Sequence, residues 1–470
     1  MKKLHQLYNV KKDIDIRDIK TNSKLVTPGD LFVCIMGVTV DRHDFIEEAI
    51  KRGAKAIVVN RDVNYDIPTI KVSNPNDELN KLLIKFYDDP FKDLILIGIT
   101  GTDGKTTLAT IIQLLIGKDK CMYIGTNGVS YNDVTLDTLN TTPAIEEIYK
   151  YAYIARKAKL KYIVIEASSE AFFHNRLKDL LFDVSILTNI TRDHLNVHKT
   201  IKNYLKCKSL LFKQTKNSGF SILNKKDKYF HYLKKICPGK VYTYGSKHTH
   251  IKLINYQNTN KGTLIKFQLN KRTYLINSPL IGCFNVDNLL ASILLCDILK
   301  TDINRVINNI SNIYVTGRLE NLDFGQKYTV ILDYAHTPNA LLQVLKHFKK
   351  QKRNKIITLT GSAGGRDKEK RSIMGKIVLK YSDWVIFTMD DPRYEDPESI
   401  IKQMIGKIKK KNYEIIVDRG RAIKKSLTIA KKDDIVLILG KGRDNYMMIK
   451  DFKIPYCDYD IIKDYFDDKK

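Results

Sequence analysis

The chain has 470 residues, of which 43% are hydrophobic, and 80 Lys and Arg residues face 52 Asp and Glu residues, a formal net charge of +28. This hydrophobic fraction excludes a disordered or charge-dominated polymer, and the length predicts about three domains, each able to bury its own core. The positive charge fits a nucleic-acid partner, a lysine-rich surface or polyanionic substrates equally well. Charge alone does not choose among the three.

Targeting and redox features narrow the class of protein. No run approaches about 18 consecutive apolar residues, so we expect no membrane-spanning helix. The basic start, MKKLHQLYNVKKDIDIR, contains no apolar stretch, so no signal peptide is expected. The seven cysteines include no Cys-x-x-Cys pair, which indicates reduced thiols and neither disulfides nor structural zinc. These features predict a cytoplasmic protein without membrane insertion.

Apolar runs of strand length alternate with helical patterns along most of the chain. This alternation predicts an α/β fold, and strands this apolar are typical of doubly wound parallel sheets covered on both faces. In the first segment, strands are predicted at 31–37 and 54–60 and a helix at 75–87. The step Asp88-Asp89-Pro90 then ends the helix and predicts a domain boundary near residue 90.

The same alternation continues through two further segments. The second segment opens with a strand at 94–99, and its later predicted elements are strands at 162–168 and 182–190, a two-stranded pattern at 263–277 and a helix at 284–300. The third segment repeats strand and helix, with strands predicted at 328–334, 355–361, 384–390, 413–418 and 435–440.

The strand at 94–99 runs directly into a glycine-containing loop that is followed by a helical pattern. Glycines let successive backbone N–H groups face phosphate oxygens, and the helix N-terminus adds its dipole. The loop departs from the strict GxxxxGK[ST] pattern because Ile99 stands where a glycine is required. Strand, loop, lysine and helix still arrive in the order that ATP binding needs. The expected ATP-binding residues are Gly101, Thr102, Asp103, Gly104, Lys105, Thr106 and Thr107.

Polar side chains follow the next predicted strands. Glu166 ends the strand at 162–168, where a carboxylate beside a phosphate loop is well placed to hold Mg²⁺. Asp193 and His194 fit an acid/base or metal pair, and fit surface loop residues equally well. Lys208 lies on an amphipathic helix, and this pattern alone predicts that it faces solvent.

The third segment places polar clusters after four predicted strands, at 333–338, 361–367, 390–393 and 440–444. Open α/β sheets bind ligands at the carboxyl ends of their strands. The residues by themselves therefore indicate an enzyme that uses ATP and Mg²⁺ and has a second ligand-binding domain, either a ligase or a kinase.

A series of motifs then identifies a family. In chain order they are TGTDGKTT, NTTP, EASSEA, TNITRDHL, the helix with Lys208, GCFNVDN, GRLE, DYAHTP and GKGRDN. With TPGDLFV and DRHDF in the opening segment, the chain resembles the Mur ligases over nearly its whole length, and within them the branch that forms UDP-N-acetylmuramyl tripeptide. The resemblance implies a uridine-nucleotide domain at 1–90, a central P-loop ATP-binding domain with a parallel sheet at 91–312, and a C-terminal Rossmann-like domain at 313–470 that binds the incoming amino acid.

The resemblance also implies a reaction. ATP phosphorylates the D-Glu carboxylate of UDP-N-acetylmuramoyl-L-Ala-D-Glu, and the amine of a diamino acid attacks the resulting acyl phosphate. The implied partners are these two substrates and no nucleic acid, the implied cofactors are ATP and Mg²⁺, and a monomer is expected. Such an enzyme serves peptidoglycan synthesis and, through it, cell shape and division.

Individual residue roles carry over from the matching motifs. The implied catalytic residues are Lys105, Glu166, His194 and Lys208. The implied ATP contacts outside the phosphate loop are Asn285, Asn288, Arg318, Asp333 and His336. The implied metal ligands are Thr106, Glu166, Glu170 and a carbamylated Lys208. The implied substrate-binding residues are Ser23, Asn140, Thr141, Thr142, Ser168, Arg176, Asp390, Asp391, Pro392, Arg393, Gly440 and Asp444.

Several positions depart from the family pattern. Glu170 stands where the branch usually has a histidine, and Asp103 where its phosphate loop has an asparagine. The DNPR motif of the diaminopimelate-adding enzymes becomes DDPR, in which Arg393 is kept and Asp391 is new. An arginine can clamp a distal carboxylate in bidentate fashion, so meso-diaminopimelate is favoured. The added acid of Asp391 leaves L-lysine or another diamino acid as the alternative.

Three other functions compete with this interpretation. A folylpolyglutamate synthase-like ligase shares the phosphate loop and the modified lysine, but the motifs TPGDLFV and DDPR argue against it. A basic P-loop ATPase that binds nucleic acid would show a helix-turn-helix, RRM or zinc signature, and none occurs in the sequence. A paralogue that binds the nucleotide sugar without ligating it has Glu170 as its only support.

Overall fold

A computed structural model describes residues 1–11, 13–37, 40–259, 262–408 and 410–468. Within these ranges the strands form six sheets, the largest of eight, six and four strands. The three large sheets follow one another along the chain, and helices pack on them. No helix in these ranges combines the length and apolarity needed to cross a bilayer.

The first segment is built on a parallel four-stranded sheet. The four strands are β3 (Ile19–Lys20), β4 (Leu31–Val33), β5 (Ala56–Val59) and β6 (Thr69–Lys71), and a separate antiparallel pair, β1 (Lys2–Lys3) and β2 (Asp15–Ile16), precedes them. Its helices are α1 (Leu4–Leu7), α2 (Ile46–Lys51) and α3 (Pro75–Tyr87). The sheet order is β3-β4-β5-β6. The predicted helix at 75–87 is confirmed, whereas the predicted strand at 31–37 ends at Val33, because the chain turns after Cys34.

The second segment forms the eight-stranded sheet. Its strands are β7 (Ile95–Thr100), β8 (Cys121–Gly125), β9 (Gly128–Tyr131), β10 (Val134–Leu136), β11 (Tyr162–Glu166), β12 (Phe182–Leu187), β13 (Thr215–Asn224) and β14 (Lys240–Tyr244). Its helices are α4 (Lys105–Ile116), α5 (Ile145–Lys157), α6 (Ser169–Phe173), α7 (Leu195–His198), α8 (Ile201–Lys213) and α9 (Phe230–Ile236). The order is β10-β9-β8-β11-β7-β12-β13-β14, in which β8, β9 and β10 pair antiparallel at one edge and the other pairs are parallel.

A small antiparallel sheet and two helices follow. The strands are β15 (Ile251–Thr259), β16 (Gly262–Leu269) and β17 (Arg272–Ser278), and the helices are α10 (Cys283–Ile298) and α11 (Ile303–Asn309). The predicted two-stranded pattern at 263–277 is therefore part of a three-stranded sheet. Sequence pattern missed β15 because its middle is exposed, so no alternation of buried and exposed residues marks it.

The third segment forms a six-stranded sheet of Rossmann type. Its strands are β18 (Glu320–Leu322), β19 (Thr329–Asp333), β20 (Ile356–Thr360), β21 (Trp384–Phe387), β22 (Tyr413–Ile415) and β23 (Ile435–Leu439), followed by the hairpin β24 (Tyr446–Ile449) and β25 (Phe452–Pro455). Its helices are α12 (Pro338–Gln351), α13 (Glu369–Tyr381), α14 (Pro397–Ile405), α15 (Arg419–Ile429) and α16 (Asp458–Asp467). The order is β18-β19-β23-β20-β21-β22, parallel except for β18.

Alternating side chains of the central sheet enter two different cores. Leu96 belongs to a cluster that also holds Leu31 of the first sheet, while Ile97 belongs to a cluster formed with α4 and α10. Both faces of the sheet are thus covered, as its apolar strands predict. The first segment packs on one face without a separating layer of solvent, and the carboxyl ends of β7, β11 and β12 remain free to carry polar residues.

Candidate active site

A cavity of about 1820 Å³ lies where the carboxyl ends of the central strands face the third segment. It is lined by most of the residues that the motifs single out. From the central segment these are Thr102, Asp103, Gly104, Lys105, Thr106, Thr107, Asn140, Thr141, Thr142, Glu166, Ser168, Glu170, Arg176, His194, Asn285 and Asn288. From the third segment they are Arg318, Asp333, His336, Asp391, Arg393 and Asp444.

The phosphate loop connects β7 to α4. A Cβ on Gly101 would lie 1.8 Å from the Thr188 hydroxyl, so only glycine fits between the loop and the end of β12. Gly104 precedes α4 with a φ of 84°, a left-handed conformation that glycine adopts without strain. The Lys105 ammonium donates to the carbonyls of Gly101 and Thr102, each at 3.0 Å. The loop therefore has the shape and the free helix N-terminus that phosphate binding requires.

Glu166, at the end of β11, is fully buried and touches the loop directly. The Thr106 hydroxyl donates to Glu166 Oε2 at 3.0 Å. The Tyr123 hydroxyl and the Thr126 N–H donate to Oε1 at 2.7 and 3.0 Å. Hydroxyl and carboxylate oxygens at this spacing fit Mg²⁺, which takes few protein ligands beside water and phosphate. Sequence reasoning missed Tyr123 and Thr126, which lie in a strand and a turn without a recognisable motif.

Lys208 is buried, with 1% of its surface exposed, although the helical pattern of α8 alone predicted a solvent-facing residue. Its Nζ donates to the Gly101 carbonyl at 2.7 Å and lies 4.5 Å from the centre of the Tyr204 ring. Burial, followed by the positive charge of Lys105, lowers the pKa of Lys208 well below its ordinary value. The site therefore favours the neutral amine, which is the form that reacts with carbon dioxide.

Glu170 contacts an imidazole and a guanidinium. Its Oε1 lies 2.8 Å from His194 Nδ1 and accepts a hydrogen bond from Arg366 at 3.0 Å. The contact with His194 is the largest of the effects that hold the pKa of Glu170 at about 2. Glu170 thus carries a charge that the usual histidine lacks, and this charge joins α6 to the loop after β20.

Three of the predicted ATP contacts lie in one part of the cavity wall: Asn285 and Asn288 on α10, and Asp333 at the end of β19. Asn288 Nδ2 donates to Asn285 Oδ1 at 3.2 Å, and Asn285 Nδ2 donates to the Ile281 carbonyl at 2.8 Å. The Asp333 carboxylate accepts the N–H groups of Leu319 and Ala335 at 2.7 and 2.9 Å. Burial raises the pKa of Asp333. It also lowers the pKa of His336, whose Nδ1 lies 2.8 Å from the Tyr334 carbonyl.

Three carboxylates surround a buried lysine beside the part of the cavity wall that Asp391 and Asp444 form. Lys441 Nζ lies 2.8 Å from Asp391, 3.6 Å from Asp444 and 4.0 Å from Asp390. Asp391 Oδ1 also accepts the Met448 N–H at 3.0 Å. The acid that distinguishes DDPR from DNPR is therefore already paired. Lys441 was missed as a site residue although it stands in the quoted motif GKGRDN.

Arg393 lines the same part of the cavity. Its backbone is bound to β24, because its N–H donates to the Met448 carbonyl at 3.1 Å and its carbonyl accepts the Lys450 N–H at 2.9 Å. Among the described residues its guanidinium has neither a hydrogen-bond partner nor an ion-pair partner, and its Nε is buried. The residue is half-buried and lines the cavity, so its unpaired guanidinium is available to bind an anionic ligand there.

Other predicted substrate residues lie along the rim or behind it. Thr142 donates to the Glu166 carbonyl at 2.6 Å and to Ser168 at 3.0 Å, and Arg176 donates to the Thr142 carbonyl at 2.7 Å. Ser23 is not part of the cavity wall: it is buried in the first segment, where its hydroxyl donates to Glu48 at 2.7 Å. Asp390, Pro392 and Gly440 lie behind the wall that Asp391, Arg393 and Asp444 form.

Comparison with known proteins shows which family this chain resembles. The Mur ligase family catalytic domain matches residues 15–88, the Mur ligase middle domain residues 99–296, and the Mur ligase glutamate ligase domain residues 317–442. The chain is 36% identical over 473 residues to the UDP-N-acetylmuramoyl-L-alanyl-D-glutamate–2,6-diaminopimelate ligase of Oceanobacillus iheyensis, covering 97% of this chain and 96% of that protein.

Solved structures show the same arrangement of domains. A structure of a UDP-N-acetylmuramoyl-L-alanyl-D-glutamate–2,6-diaminopimelate ligase is 25% identical and superposes with a TM-score of 0.67 over 99% of both chains. MurF ligase from Thermotoga maritima in complex with ADP shares the fold, with a TM-score of 0.66 at 21% identity over 91% of this chain and 95% of that one. The predicted three-part α/β architecture is confirmed, and the chain belongs to the Mur ligase family.

Proposed function

We propose that this enzyme joins meso-diaminopimelate to the D-Glu of UDP-N-acetylmuramoyl-L-Ala-D-Glu, using ATP, in the synthesis of peptidoglycan precursors. The observation that carries the proposal is the unpartnered guanidinium of Arg393 in the cavity that also holds the phosphate loop. A diamino acid with a second carboxylate supplies the anion that this guanidinium lacks. The name of the Oceanobacillus iheyensis relative, which matches along nearly the whole chain, supports the same reaction.

The chemistry follows from the weakness of a carboxylate as an electrophile. Transfer of the γ-phosphoryl group of ATP to the D-Glu carboxylate gives an acyl phosphate. The amine then forms the C–N bond as the C–O bond to phosphate breaks, and the amine gives up a proton. Lys105 and the backbone N–H groups that begin α4 bind the phosphates, because both present positive charge to them.

Magnesium belongs to this proposal because the oxygen donors at the loop suit it. Mg²⁺, when bound, neutralises phosphate charge and polarises the transferred phosphoryl group. Thr106 and Glu166 would hold one ion, since their oxygens already lie 3.0 Å apart. Glu170 and Lys208, as its carbamate, would hold a second. His194 then orients Glu170 through the contact between its Nδ1 and Oε1.

Recognition of the amino acid is assigned to the end of the cavity around Lys441. Asp391 and Asp444 line this part of the cavity, and their carboxylates can attract an ammonium group. Arg393 provides a planar fork for the distal carboxylate. Together they favour an amino acid with both an ammonium group and a second carboxylate, which describes diaminopimelate and not lysine.

The muramoyl dipeptide is assigned to the rim formed by Asn140, Thr141, Thr142, Ser168 and Arg176. Ser23 is proposed to act on the uridine nucleotide within the first segment, away from the chemistry. We also propose that the enzyme acts as a monomer. Its substrates are a nucleotide sugar and ATP, so we propose that it acts in the cytoplasm.

Phosphate release tests the proposal directly. The enzyme is supplied with ATP, Mg²⁺ and the UDP-muramoyl dipeptide, and diaminopimelate, lysine, ornithine or lanthionine is added in turn. We expect turnover with diaminopimelate and little with lysine. Turnover with none of the four amino acids would show that the ligase assignment is wrong. Turnover with lysine alone would support the alternative in which the carboxylates around Lys441 bind a side-chain ammonium.

A further inference from the structure

A fully buried ion pair lies directly beneath the proposed amino-acid site. Arg419 begins α15 and Asp458 begins α16, and neither side chain is exposed to solvent. Arg419 Nε donates to Asp458 Oδ1 at 2.8 Å, and Nη2 donates to Oδ2 at 2.7 Å. The bidentate contact fixes the orientation of the guanidinium plane.

The same guanidinium reaches the ends of two strands. Nη2 also donates to the Leu439 carbonyl at 3.1 Å, and Nη1 donates to the Met389 carbonyl at 3.4 Å. Leu439 ends β23, and Met389 follows β21 by two residues. The next residues along the chain, Gly440 and Asp390, begin the two segments that carry the proposed amino-acid site.

Sheet order gives this bridge its significance. β23 and β21 are not neighbours, because β20 lies between them. Each strand pairs with β20, and these two ladders end at Ile438 and Phe387, so Leu439 and Met389 lie just beyond the residues that the ladders hold. Arg419 spans that gap from below with two hydrogen bonds from one rigid group, so the guanidinium sets the distance between the two ends.

The two segments also touch each other above Arg419. A Cβ on Gly440 would lie 2.8 Å from Asp390 Oδ2 and 3.8 Å from both Nη1 and Nη2 of Arg419. Asp390 thus packs against the bare backbone of Gly440, with the guanidinium immediately below. A small change in the separation of the strand ends would move Asp390 relative to Lys441 and Asp444.

Asp458 extends the connection to the hairpin that borders the site. The Tyr456 hydroxyl donates to Asp458 Oδ1 at 2.8 Å, and the Tyr456 N–H donates to the Asn445 carbonyl at 3.1 Å. Tyr456 follows β25, the second strand of the hairpin that holds the backbone of Arg393. One buried pair therefore contacts all three segments around the site: those that begin at Asp390 and Gly440, and the hairpin.

Stability alone does not account for the pair. Taking two charges out of water is expensive, and well-packed apolar residues in place of a buried ion pair are often neutral or stabilising. The hydrogen bonds from the guanidinium to the Met389 and Leu439 carbonyls hold two strand ends in place, which an apolar pair could not do.

We propose that Arg419, held by Asp458, is a positioning residue for the incoming amino acid: it sets the separation of the segments that begin at Asp390 and Gly440. The inference rests on the proposed function, because those segments are assigned there to amino-acid binding. It concerns the amino acid, since the phosphate loop and the dipeptide rim lie on the central sheet. The Asp333 carboxylate, assigned to ATP on the third segment, is held separately by the N–H groups of Leu319 and Ala335.

The test is steady-state kinetics on three variants of the full-length enzyme. Arg419→Lys keeps the charge beside Asp458 but cannot bond to both strand ends. The double variant Arg419→Met with Asp458→Leu removes the bridge while leaving no unpaired buried charge. Lys352→Met is the matched control, because Lys352 pairs with Asp383 at 3.0 Å at the opposite, amino end of the same sheet.

We expect the KM for diaminopimelate to rise about 10- to 100-fold in both Arg419 variants, the cost of misplacing binding groups by a fraction of an ångström. The KM values for ATP and for the dipeptide should stay near wild type. ATP-dependent hydroxamate formation from the dipeptide and hydroxylamine, which bypasses the amino-acid site, should also be retained. Lys352→Met should change none of these quantities.

The outcomes separate the inference from the proposed function. An unchanged KM for diaminopimelate in a folded Arg419 variant overturns the inference alone. Equal rises in the KM values for all three substrates also overturn the inference. So does a loss of hydroxamate formation in proportion to the loss of folded protein, because a purely structural role predicts both results. No turnover of wild-type enzyme with any diamino acid overturns the proposed function and the inference together.

Discussion

The carboxylate of Asp103, in the phosphate loop, accepts a hydrogen bond from the hydroxyl of Thr337 at 2.8 Å. The Asn339 amide donates to the other oxygen of the same carboxylate at 2.8 Å. Thr337 caps the N-terminus of α12 in the third segment, so the loop expected to bind ATP is fastened to the segment expected to bind the amino acid. An acid at this position accepts both bonds and also favours the positive end of the helix.

This contact predicts that Asp103 stabilises the closed arrangement of the central and third segments. We expect Asp103→Ala to increase the radius of gyration measured by small-angle X-ray scattering without ligands. We also expect it to raise the KM for ATP by about 10-fold, the scale of charge-assisted hydrogen bonds. Asp93→Ala, an exposed acid of the central segment, is the control. Scattering curves that are identical for Asp103→Ala and wild type, with and without ligands, would contradict the prediction.

The burial of Lys208 leads to a second prediction. Burial lowers its pKa well below the ordinary value, which favours the neutral amine that forms a carbamate. We expect Lys208→Ala to lose activity by a factor on the order of 100 or more, as when one stabilising group is removed from a transition state. Acetate, which supplies a small carboxylate, should restore part of it.

The control for Lys208 lies two residues away on the same helix. Lys206 is exposed on α8, so Lys206→Ala should keep wild-type activity and should not respond to acetate. Full activity of Lys208→Ala without acetate would exclude the carbamate. Equal stimulation of both variants by acetate would show that the rescue is not specific to position 208.

Local order in the sequence predicted that Glu166 lies beside the phosphate loop, and the structure places the two in contact. Strand, loop and helix are consecutive there, so the side chains at their junctions must lie at one edge of the sheet. The burial of Lys208 could not be read from its own helix, because it depends on the Gly101 carbonyl 107 residues away. The resemblance to the Mur ligases corrected what periodicity alone predicted.

Ion pairs between residues far apart in the chain were the other feature of the site that the sequence could not predict. The sequence shows that Asp391 replaces an asparagine, but not that Lys441, 50 residues later, lies 2.8 Å from it. The bridge formed by Arg419 was invisible for the same reason. Its partners are backbone carbonyls and an aspartate on another helix, and such contacts leave no pattern in composition or spacing.

The pairing of Asp391 gives a third prediction, on specificity. Asparagine also has an oxygen that can accept from Lys441 and from the Met448 N–H, so Asp391→Asn should preserve the pocket. We expect its preference for diaminopimelate over lysine, measured as a ratio of kcat/KM values, to change by less than about 3-fold, a free-energy difference of about 0.6 kcal/mol.

Arg393→Ala is the comparison for Asp391→Asn. It removes the unpaired guanidinium, and we expect it to lower kcat/KM for diaminopimelate by a factor on the order of 100, the scale of a lost charge-assisted bidentate contact. Its kcat/KM for lysine should change little. A larger loss of preference in Asp391→Asn than in Arg393→Ala would show that Asp391, and not Arg393, discriminates between the two amino acids.

The last prediction concerns pH. Burial, with added repulsion from Asp390 and Asp391, outweighs the attraction of Lys441 and raises the pKa of Asp444 to about 6. Protonation below that pH removes one negative charge from the end of the cavity that attracts an ammonium group. We therefore expect the KM for diaminopimelate to rise as pH falls from 7 to 5, where an ordinary aspartate stays ionised. In Asp444→Asn this dependence should be absent and the KM high throughout.

The same raised pKa has a consequence for stability that does not depend on the substrate. The folded state binds the Asp444 proton more tightly than the unfolded state, so this carboxyl favours folding at low pH, and that contribution is lost as pH rises through about 6. Asp444→Asn should therefore have a higher Tm than wild type at pH 7.5 and a similar Tm at pH 4. Asp433→Asn, at an exposed position of the same segment, should show no such divergence. Parallel Tm curves for Asp444→Asn and wild type across this range would show that Asp444 titrates normally and would remove the basis for the kinetic prediction.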